Sequence, residues 1–429
     1  MAYNSFLVNG KTEKHIISII FLVVVVDLIG FGILIPVIPQ LLANPNSSYY
    51  LLRGSSPGMG YFLLGVLTAV YPIMQFLAAP ILGQLSDRYG RKKLLAISVF
   101  GTFLSYLLFA IGIVIANLPL LFVSRAIDGL TGGNISIAQA AMADITKPEN
   151  RAKNFGLIGA AFGLGFILGP FLGGKLSDPS LVSWFTASTP FFFAAALSFA
   201  EIMIILYLLP ETLEKPNQGV RVNVLQSLRT IADAVSYRNI RAILGVAFLD
   251  NLGFTFFTTF IAVFYIVRFG FDQGSIGNMF AYVGLTFAAA QLIVLPRLPK
   301  NRDFEILFIG ILGTAAMLFV YVVIPSPWYL LLAIPVFSVF NGFVQAYLPA
   351  VISRSSDRSI QGRILGINAS MYSLGQAIPP VLAGYLAAAF SPQVPLYVAS
   401  IVTFATAGVL WAFRNDITAP LRGRMPRAK

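Results

Sequence analysis

The chain has 429 residues, 57% of them hydrophobic and 11% charged, with a mean hydropathy of +0.81, whereas soluble globular domains have an apolar share nearer ~45–50%. This is the composition of a polytopic helical membrane protein; with no cysteine and a single histidine, His15, it excludes disulfides, thiol catalysis and Cys- or His-clustered metals, and no cofactor is expected. The formal net charge of +12 comes from Lys and Arg scattered through short connections, not gathered with aromatics in one domain, which argues against nucleic acid as a partner.

A span needs about 20 mainly apolar residues to cross the ~30 Å hydrocarbon layer. The apolar runs predict spans near 15–38, 59–82, 94–115, 117–140, 154–176 and 189–209, then near 241–265, 276–297, 304–324, 327–349, 364–388 and 395–414. The stretch 210–240 is the long polar connection. It holds Pro210, Glu211, Thr212 and Pro216, and an amphipathic run with Val222, Leu225, Leu228, Ala232 and Val235 at helical spacing. It divides an N-terminal six-helix half, 1–209, from a C-terminal six-helix half with a basic tail, 241–429. Of the 29 Lys and Arg, 25 fall on one side of such a membrane, Arg53, Lys175 and Arg268 on the other, and Arg125 inside a span. The positive-inside rule then places both termini in the cytoplasm, as expected of a multi-pass inner (plasma) membrane protein. The first run is long and carries Asp27 near its middle, so it reads as a span and not as a cleavable signal.

The two halves repeat one another. Asp27-Leu28-Ile29-Gly30-Phe31 in span 1 recurs as Asp250-Asn251-Leu252-Gly253-Phe254 in span 7. Gly156, Gly165, Pro170 and Gly174 in span 5 recur at one constant offset as Gly366, Gly375, Pro380 and Gly384 in span 11, and Gln75 and Pro80 in span 2 match Gln291 and Pro296 in span 8. Three pairs in the same order mark a duplicated six-helix unit.

Within the spans, away from their ends, the acids are Asp27, Asp128, Glu201 and Asp250. A charge at mid-bilayer costs at least ~2.5–3.5 kcal/mol on insertion scales, so such groups face a bundle interior or a wet cavity. Asp27 lies roughly 18 Å into its span at ~1.5 Å per residue, near the midplane. Burial favours the neutral form of a carboxyl group and a neighbouring guanidinium the charged form. A carboxylate whose contact with Arg125 changes with conformation would therefore load and release protons. Arg125 and Asp128, three residues apart, share a helix face and can pair locally. A fixed network that only pins the helices is the other reading of the three. Asp250, beside Asn251, is placed inward by its repeat relation to Asp27, either as a second proton-coupling group or as a carboxylate that binds substrate without titrating.

Four stretches carry a family resemblance covering nearly the whole chain. The connection after span 2, Gly83-Gln84-Leu85-Ser86-Asp87-Arg88-Tyr89-Gly90-Arg91-Lys92-Lys93, resembles the signature loop of the major facilitator superfamily. Gly165, Gly169, Pro170, Gly173 and Gly174 in span 5 are similar to the motif of that superfamily's antiporters, and Arg125, Asp128, Gly129 and Gly132 to its proton-linked motif. The opening from Asp27 to Pro39 resembles the first helix of tetracycline-efflux-type drug/proton antiporters.

The resemblance implies an all-α polytopic fold of 12 transmembrane helices in two pseudo-symmetric six-helix halves. It implies a monomeric, proton-coupled transporter that works by alternating access and exports an amphipathic drug or small organic metabolite. It further implies that Asp87, together with Gly83, Arg88 and Gly90, latches the connection to the start of span 11 near Gly362 and Arg363, that Arg91 reaches Asp144, and that the helix carrying Glu201 lies on the outside of the bundle, with a structural or interfacial role for Glu201. The glycines at 83 and 90 would permit a tight connection and close helix approach. The candidate substrate-binding residues are Gln75, Asn134, Asn251, Gln291, Asn341 and Gln345, with Gln139 and Gln376 beside them; amides among aromatics suit an amphipathic organic molecule. Tetracycline exporters of this type carry an acid in span 9 and often a histidine in span 8, whereas here span 9 has only Asp303 and Glu305 at its entrance and the sole histidine is His15. An exporter or importer of one metabolite, such as a siderophore or amino acid, would have the same architecture. A membrane enzyme would need a catalytic constellation that the spans do not contain, and a channel would need a filter or a symmetric assembly.

Overall fold

The computed structural model describes residues 10–146, 150–214, 241–299, 302–355, 361–415 and 417. The amphipathic run expected after 215 lies outside them. Thirteen α-helices occur among the described residues. They are α1 (Gly10–Leu42), α2 (Pro57–Tyr89), α3 (Arg91–Val114), α4 (Leu118–Thr131), α5 (Asn134–Ile145), α6 (Arg151–Leu176), α7 (Thr189–Leu208), α8 (Arg241–Phe269), α9 (Gln273–Ala289), α10 (Asp303–Val323), α11 (Leu330–Ser355), α12 (Gln361–Ala389) and α13 (Val394–Ala412). They form the twelve spans that the apolar runs predict, because α4 and α5 are successive parts of the fourth. Several overrun their apolar stretch: α2 continues to Tyr89, so most of the motif read as a connection is helical.

Two departures interrupt regular spans. The fourth breaks at Gly132 and Gly133, residues that weaken a helix interior by roughly 0.5–1 kcal/mol relative to Ala. The eighth leaves α9 through a π-turn, Ala290–Val294, and a 3-10 turn, Leu295–Arg297. Pro296 within it has no N–H and crowds the carbonyl four residues earlier. Helix starts are marked locally. The Asn117 side chain accepts the Leu120 N–H at 3.0 Å, with Pro119 in the first turn, and Pro190 and Pro395 stand at the starts of α7 and α13.

The chain forms two compact units, one comprising Met1–Arg53, Val70–Gln226 and Phe271–Gly284, the other Gly54–Ala69, Ser227–Gly270 and Leu285–Lys429. In the first, α1 packs on α6, and α3 packs on both α4 and α7; in the second, α8 packs on α12, and α10 on both α11 and α13. The partner scheme is the same in each, which is the duplication seen in the sequence expressed as packing. Lipid supplies no hydrophobic drive between helices, so close van der Waals contact holds them. Gly32 and Gly169 serve this in the first unit, and Gly65 and Gly384 in the second. Outward-facing Leu, Ile and Phe cover the spans, and Trp184, Trp328 and Trp411 stand exposed at or near span ends, where amphipathic rings favour the membrane–water boundary.

Candidate functional site

The first unit contains a buried polar cluster drawn from α1 to α5. Asp27 is 8% exposed, and neither of its carboxylate oxygens makes a hydrogen bond. Gly30, one turn along α1, is held against the Tyr106 ring and hydroxyl of α3 with no room for a side chain. Arg125 Nη1 donates to Asp128 Oδ2 at 2.5 Å, and its guanidinium lies 4.7 Å from the centre of the Tyr71 ring. Arg125 Nε has no partner. The tie expected between Arg125 and Asp27 is therefore not made in this conformation. The partner three residues along the same helix wins, because it needs no displacement of a neighbouring span.

The break in the fourth span belongs to this cluster. Opening a helix at membrane depth frees backbone groups that must find partners inside the protein. Gln75 Nε2 donates to the freed Gly132 carbonyl at 2.7 Å and to the Tyr71 hydroxyl at 2.8 Å. Asn134 is buried at the start of α5, where its Oδ1 accepts the Ile135 N–H at 2.9 Å. Gln75 thus holds the break in place with the amide that the sequence offered to a substrate.

Beneath the cluster runs the glycine series of α6. A side-chain carbon at Gly169 would meet Gly32 Cα and the Ile29 carbonyl oxygen at 2.7 Å, and one at Gly173 would meet the Ile33 carbonyl oxygen at 2.5 Å. Gly165 sits on Leu28, and Pro170 on Gly32. These contacts clamp the turns of α1 that follow Asp27 and fix the direction in which it points. Gly174 turns to the start of α9, against the Gln273 carbonyl and Gly277.

At one end of α2 a second cluster centres on Arg91, which is 7% exposed. Its guanidinium bonds Asp87 Oδ1 at 2.5 Å, Asp144 Oδ2 at 3.0 Å and Ser86 Oγ at 2.5 Å. Asp87, whose side chain is 43% exposed, has Arg91 as its ion-pair partner; the side chains of Gly362 and Arg363 lie outside those described. Gly90 adopts φ 100°, open to glycine alone in practice. Gly83 does not need to be glycine for space, since a side-chain carbon there would meet nothing within 4 Å; α2 simply continues through it. Arg88 stacks over Tyr89, 5.2 Å from the ring centre. Two residues that sequence reasoning missed complete the cluster. Ser86 is fully buried, and the Glu211 carboxylate accepts the N–H groups of Arg91 at 2.8 Å and Lys92 at 3.2 Å, capping α3. Glu211 had been noted only as part of the polar connection, and nothing in its spacing links it to Arg91.

In the second unit Asp250 is 9% exposed. The adjacent Asn251 donates to the Tyr372 carbonyl at 2.7 Å and packs against Gly375. Gln291 stands in the π-turn of the eighth span, with Gly342 of α11 nearby. Asn341 is buried, Gln345 exposed and Gln376 half-buried. Glu201, on the helix expected at the outside of the bundle, is 1% exposed, and neither of its carboxylate oxygens has a partner. The resemblance spoke for the helix as a whole, and a helix on the rim of a bundle still has an inward face. Among the described residues no group of three or more acids or histidines could hold a metal ion.

Comparison with known proteins bears on the chain as a whole. The model of the Major Facilitator Superfamily matches residues 20–302 and 243–425. The chain is 32% identical over 386 residues to the tetracycline resistance protein, class H, of Pasteurella multocida, covering 86% of this chain and 88% of that protein. It is 27% identical over 414 residues to the human major facilitator superfamily domain-containing protein 10, covering 86% and 87%. Among solved structures, the human organic anion transporter MFSD10 (TETRAN) matches with a TM-score of 0.70 at 24% identity, over 93% of this chain and 99% of that one. A D-xylose-proton symporter matches with a TM-score of 0.74 at 15% identity, over 93% and 97%.

Proposed function

The chain belongs to the Major Facilitator Superfamily, whose members carry small molecules across a membrane by secondary active transport, and we propose that its coupling ion is the proton, bound at Asp27, and its cargo one small organic metabolite. The observation that carries this reading is the Asp27 carboxyl group, buried near the middle of α1 without a hydrogen bond, beside an Arg125 committed to Asp128. An unpaired carboxylate at membrane depth is costly, so Asp27 rests with a proton on it. When the unpartnered Nε side of Arg125 turns to Asp27 while Nη1 stays on Asp128, the guanidinium favours the charged form of Asp27 and the proton departs. Two arrangements of one arginine thus make loading and release depend on conformation. The glycine contacts of α6 hold α1 in register throughout, and the Arg91 cluster with Glu211 ties the basic ends of α2, α3 and α5 together. The distribution of Lys and Arg supports cytoplasmic termini, and the protein acts as a monomer.

A second reading, export of amphipathic drugs by proton antiport, is favoured by the glycine series of α6 and by the likeness to a tetracycline resistance protein. Everted membrane vesicles with an imposed pH gradient separate the two. Cationic, zwitterionic, anionic and siderophore-like compounds are added singly, and the lumenal pH is followed. Proton movement elicited by one chemical class supports the metabolite carrier, and movement elicited by many unrelated cations supports drug antiport. No movement with any compound, from inserted and folded protein, contradicts proton coupling.

A further inference from the structure

The three acids that meet at the junction of α2 and α3 are engaged. Asp87 and Asp144 hold the Arg91 guanidinium, and Glu211 takes the N–H groups of Arg91 and Lys92. Two bases of the same junction are left without a counter-charge. Arg88, in the last turn of α2, and Lys93, in the first turn of α3, are exposed, and among the described residues neither forms an ion pair.

Both bases lie against one ring. Arg88 Cζ is 5.2 Å and Lys93 Nζ 6.0 Å from the centre of the Tyr89 ring, which is itself exposed. Cation–π attraction thus gathers two like charges around one aromatic platform, and the partner they lack is an anion. The surface that continues from them is apolar. Lys93, Ile97 and Phe100 fall at i, i+4 and i+7, on one face of α3, and all three are exposed. Phe100 lies 6.0 Å from Phe103, and Phe103 lies 5.8 Å from the exposed Phe199 of α7, ring centre to ring centre. The buried face of α3 packs on α4, α5 and α7, so the exposed stripe is left to the acyl chains of the bilayer.

We propose that this surface binds an anionic phospholipid, with the phosphate at Arg88, Tyr89 and Lys93 and an acyl chain along Ile97, Phe100, Phe103 and Phe199. A free phosphate is met by the cations alone, whereas a lipid is met by the cations and by the stripe that starts one turn beyond Lys93. The chemistry of the three head-group residues fits. Arg88 and Lys93 donate charge-assisted hydrogen bonds to phosphate oxygens, and the Tyr89 hydroxyl adds a donor. The Lys93 stem lies on the apolar face while its ammonium reaches the head-group level. Since Arg88 follows Asp87 and Lys93 comes two residues after Arg91, a lipid seated there braces the junction that Arg91 holds from within.

The test titrates the full-length purified protein in detergent with phosphatidylglycerol and reads bound lipid by native mass spectrometry. Phosphatidylcholine with the same chains and inorganic phosphate are the other probes. The variants are R88Q, K93Q, the two combined, K93R and R414Q. Arg414 also lies over an exposed ring, that of Trp411, at another helix end, so R414Q reports what net charge alone does. The expected result is a preference for phosphatidylglycerol that falls about fivefold in R88Q or K93Q, the worth of one base near an anionic surface, and further when they are combined. K93R and R414Q should keep the parent's preference. Equal binding of the two lipids by the parent would overturn the proposal. So would a fall in R414Q as large as that in K93Q, which assigns the preference to net charge. Displacement of phosphatidylglycerol by millimolar inorganic phosphate would overturn it too, because the cations would then serve a free anion. Both substituted side chains are exposed, and K93R, which keeps the charge, shows whether a loss in K93Q comes from charge or from folding.

Discussion

Substituting Gly90 by alanine tests the Arg91 cluster where its geometry is most demanding. Gly90 joins α2 to α3 at φ 100° and ψ 147°, a region that costs a residue with a side chain about 1–3 kcal/mol. A side-chain carbon there would also collide with the Glu211 carboxylate, displacing it from the N–H groups of Arg91 and Lys92. Loss of such a cap costs typically ~1 kcal/mol. The sum, about 2–4 kcal/mol, corresponds to roughly 30- to 1,000-fold faster local opening at ~1.4 kcal/mol per factor of ten. Hydrogen exchange at the first turn of α3, read by mass spectrometry on the parent, G90A and E211A, measures it. E211A should show the smaller effect, about fivefold at ~1 kcal/mol, because the backbone strain is absent. Exchange in G90A within threefold of the parent would refute the strain argument, and an unchanged E211A would refute the cap.

Three further outcomes follow from the packing. Gly169→Leu drives a side chain into Gly32 and the Ile29 carbonyl; overpacking of this kind costs about 1–3 kcal/mol or more, and a lowered thermal midpoint in detergent with loss of transport is expected, against near-parent behaviour for Gly83→Ala. Gln75→Leu leaves the Gly132 carbonyl and Tyr71 hydroxyl without their donor, at a cost of about 1–3 kcal/mol; the thermal midpoint reads it, and Gln75→Glu, which cannot donate both bonds when charged, should fall as well. Arg91→Lys keeps the charge but offers no planar fork to Asp87, Asp144 and Ser86 together, so it should lose most of what Arg91→Ala loses in protease resistance of the α2–α3 junction.

The twelve spans were legible because hydropathy and length decide them, and the repeat of Asp27 in Asp250 showed the duplication now seen in the packing of each unit. What the sequence concealed were departures within spans. Gly132 and Gly133 lie in an unbroken apolar run, so the fourth span read as one helix, and the π-turn at Gln291 has Pro296 as its only local sign. Partners were harder than positions. Arg125 had two acids within plausible reach, and side-chain types do not choose between a neighbour three residues away and one on another helix. Glu201 was assigned by the average position of its helix, and Glu211 gave no periodic or motif signal, since it reaches Arg91 across 120 residues of chain.

The central claim is that the proton bound at Asp27 drives transport. Once a substrate has been identified in the vesicle screen, the measurement that tests the claim most directly compares two modes in proteoliposomes carrying parent or Asp27→Asn protein. One is uphill accumulation driven by a pH gradient, and the other is substrate exchange at equal pH. The account predicts that Asp27→Asn abolishes the first and retains the second. Gradient-driven accumulation that survives in Asp27→Asn would contradict it.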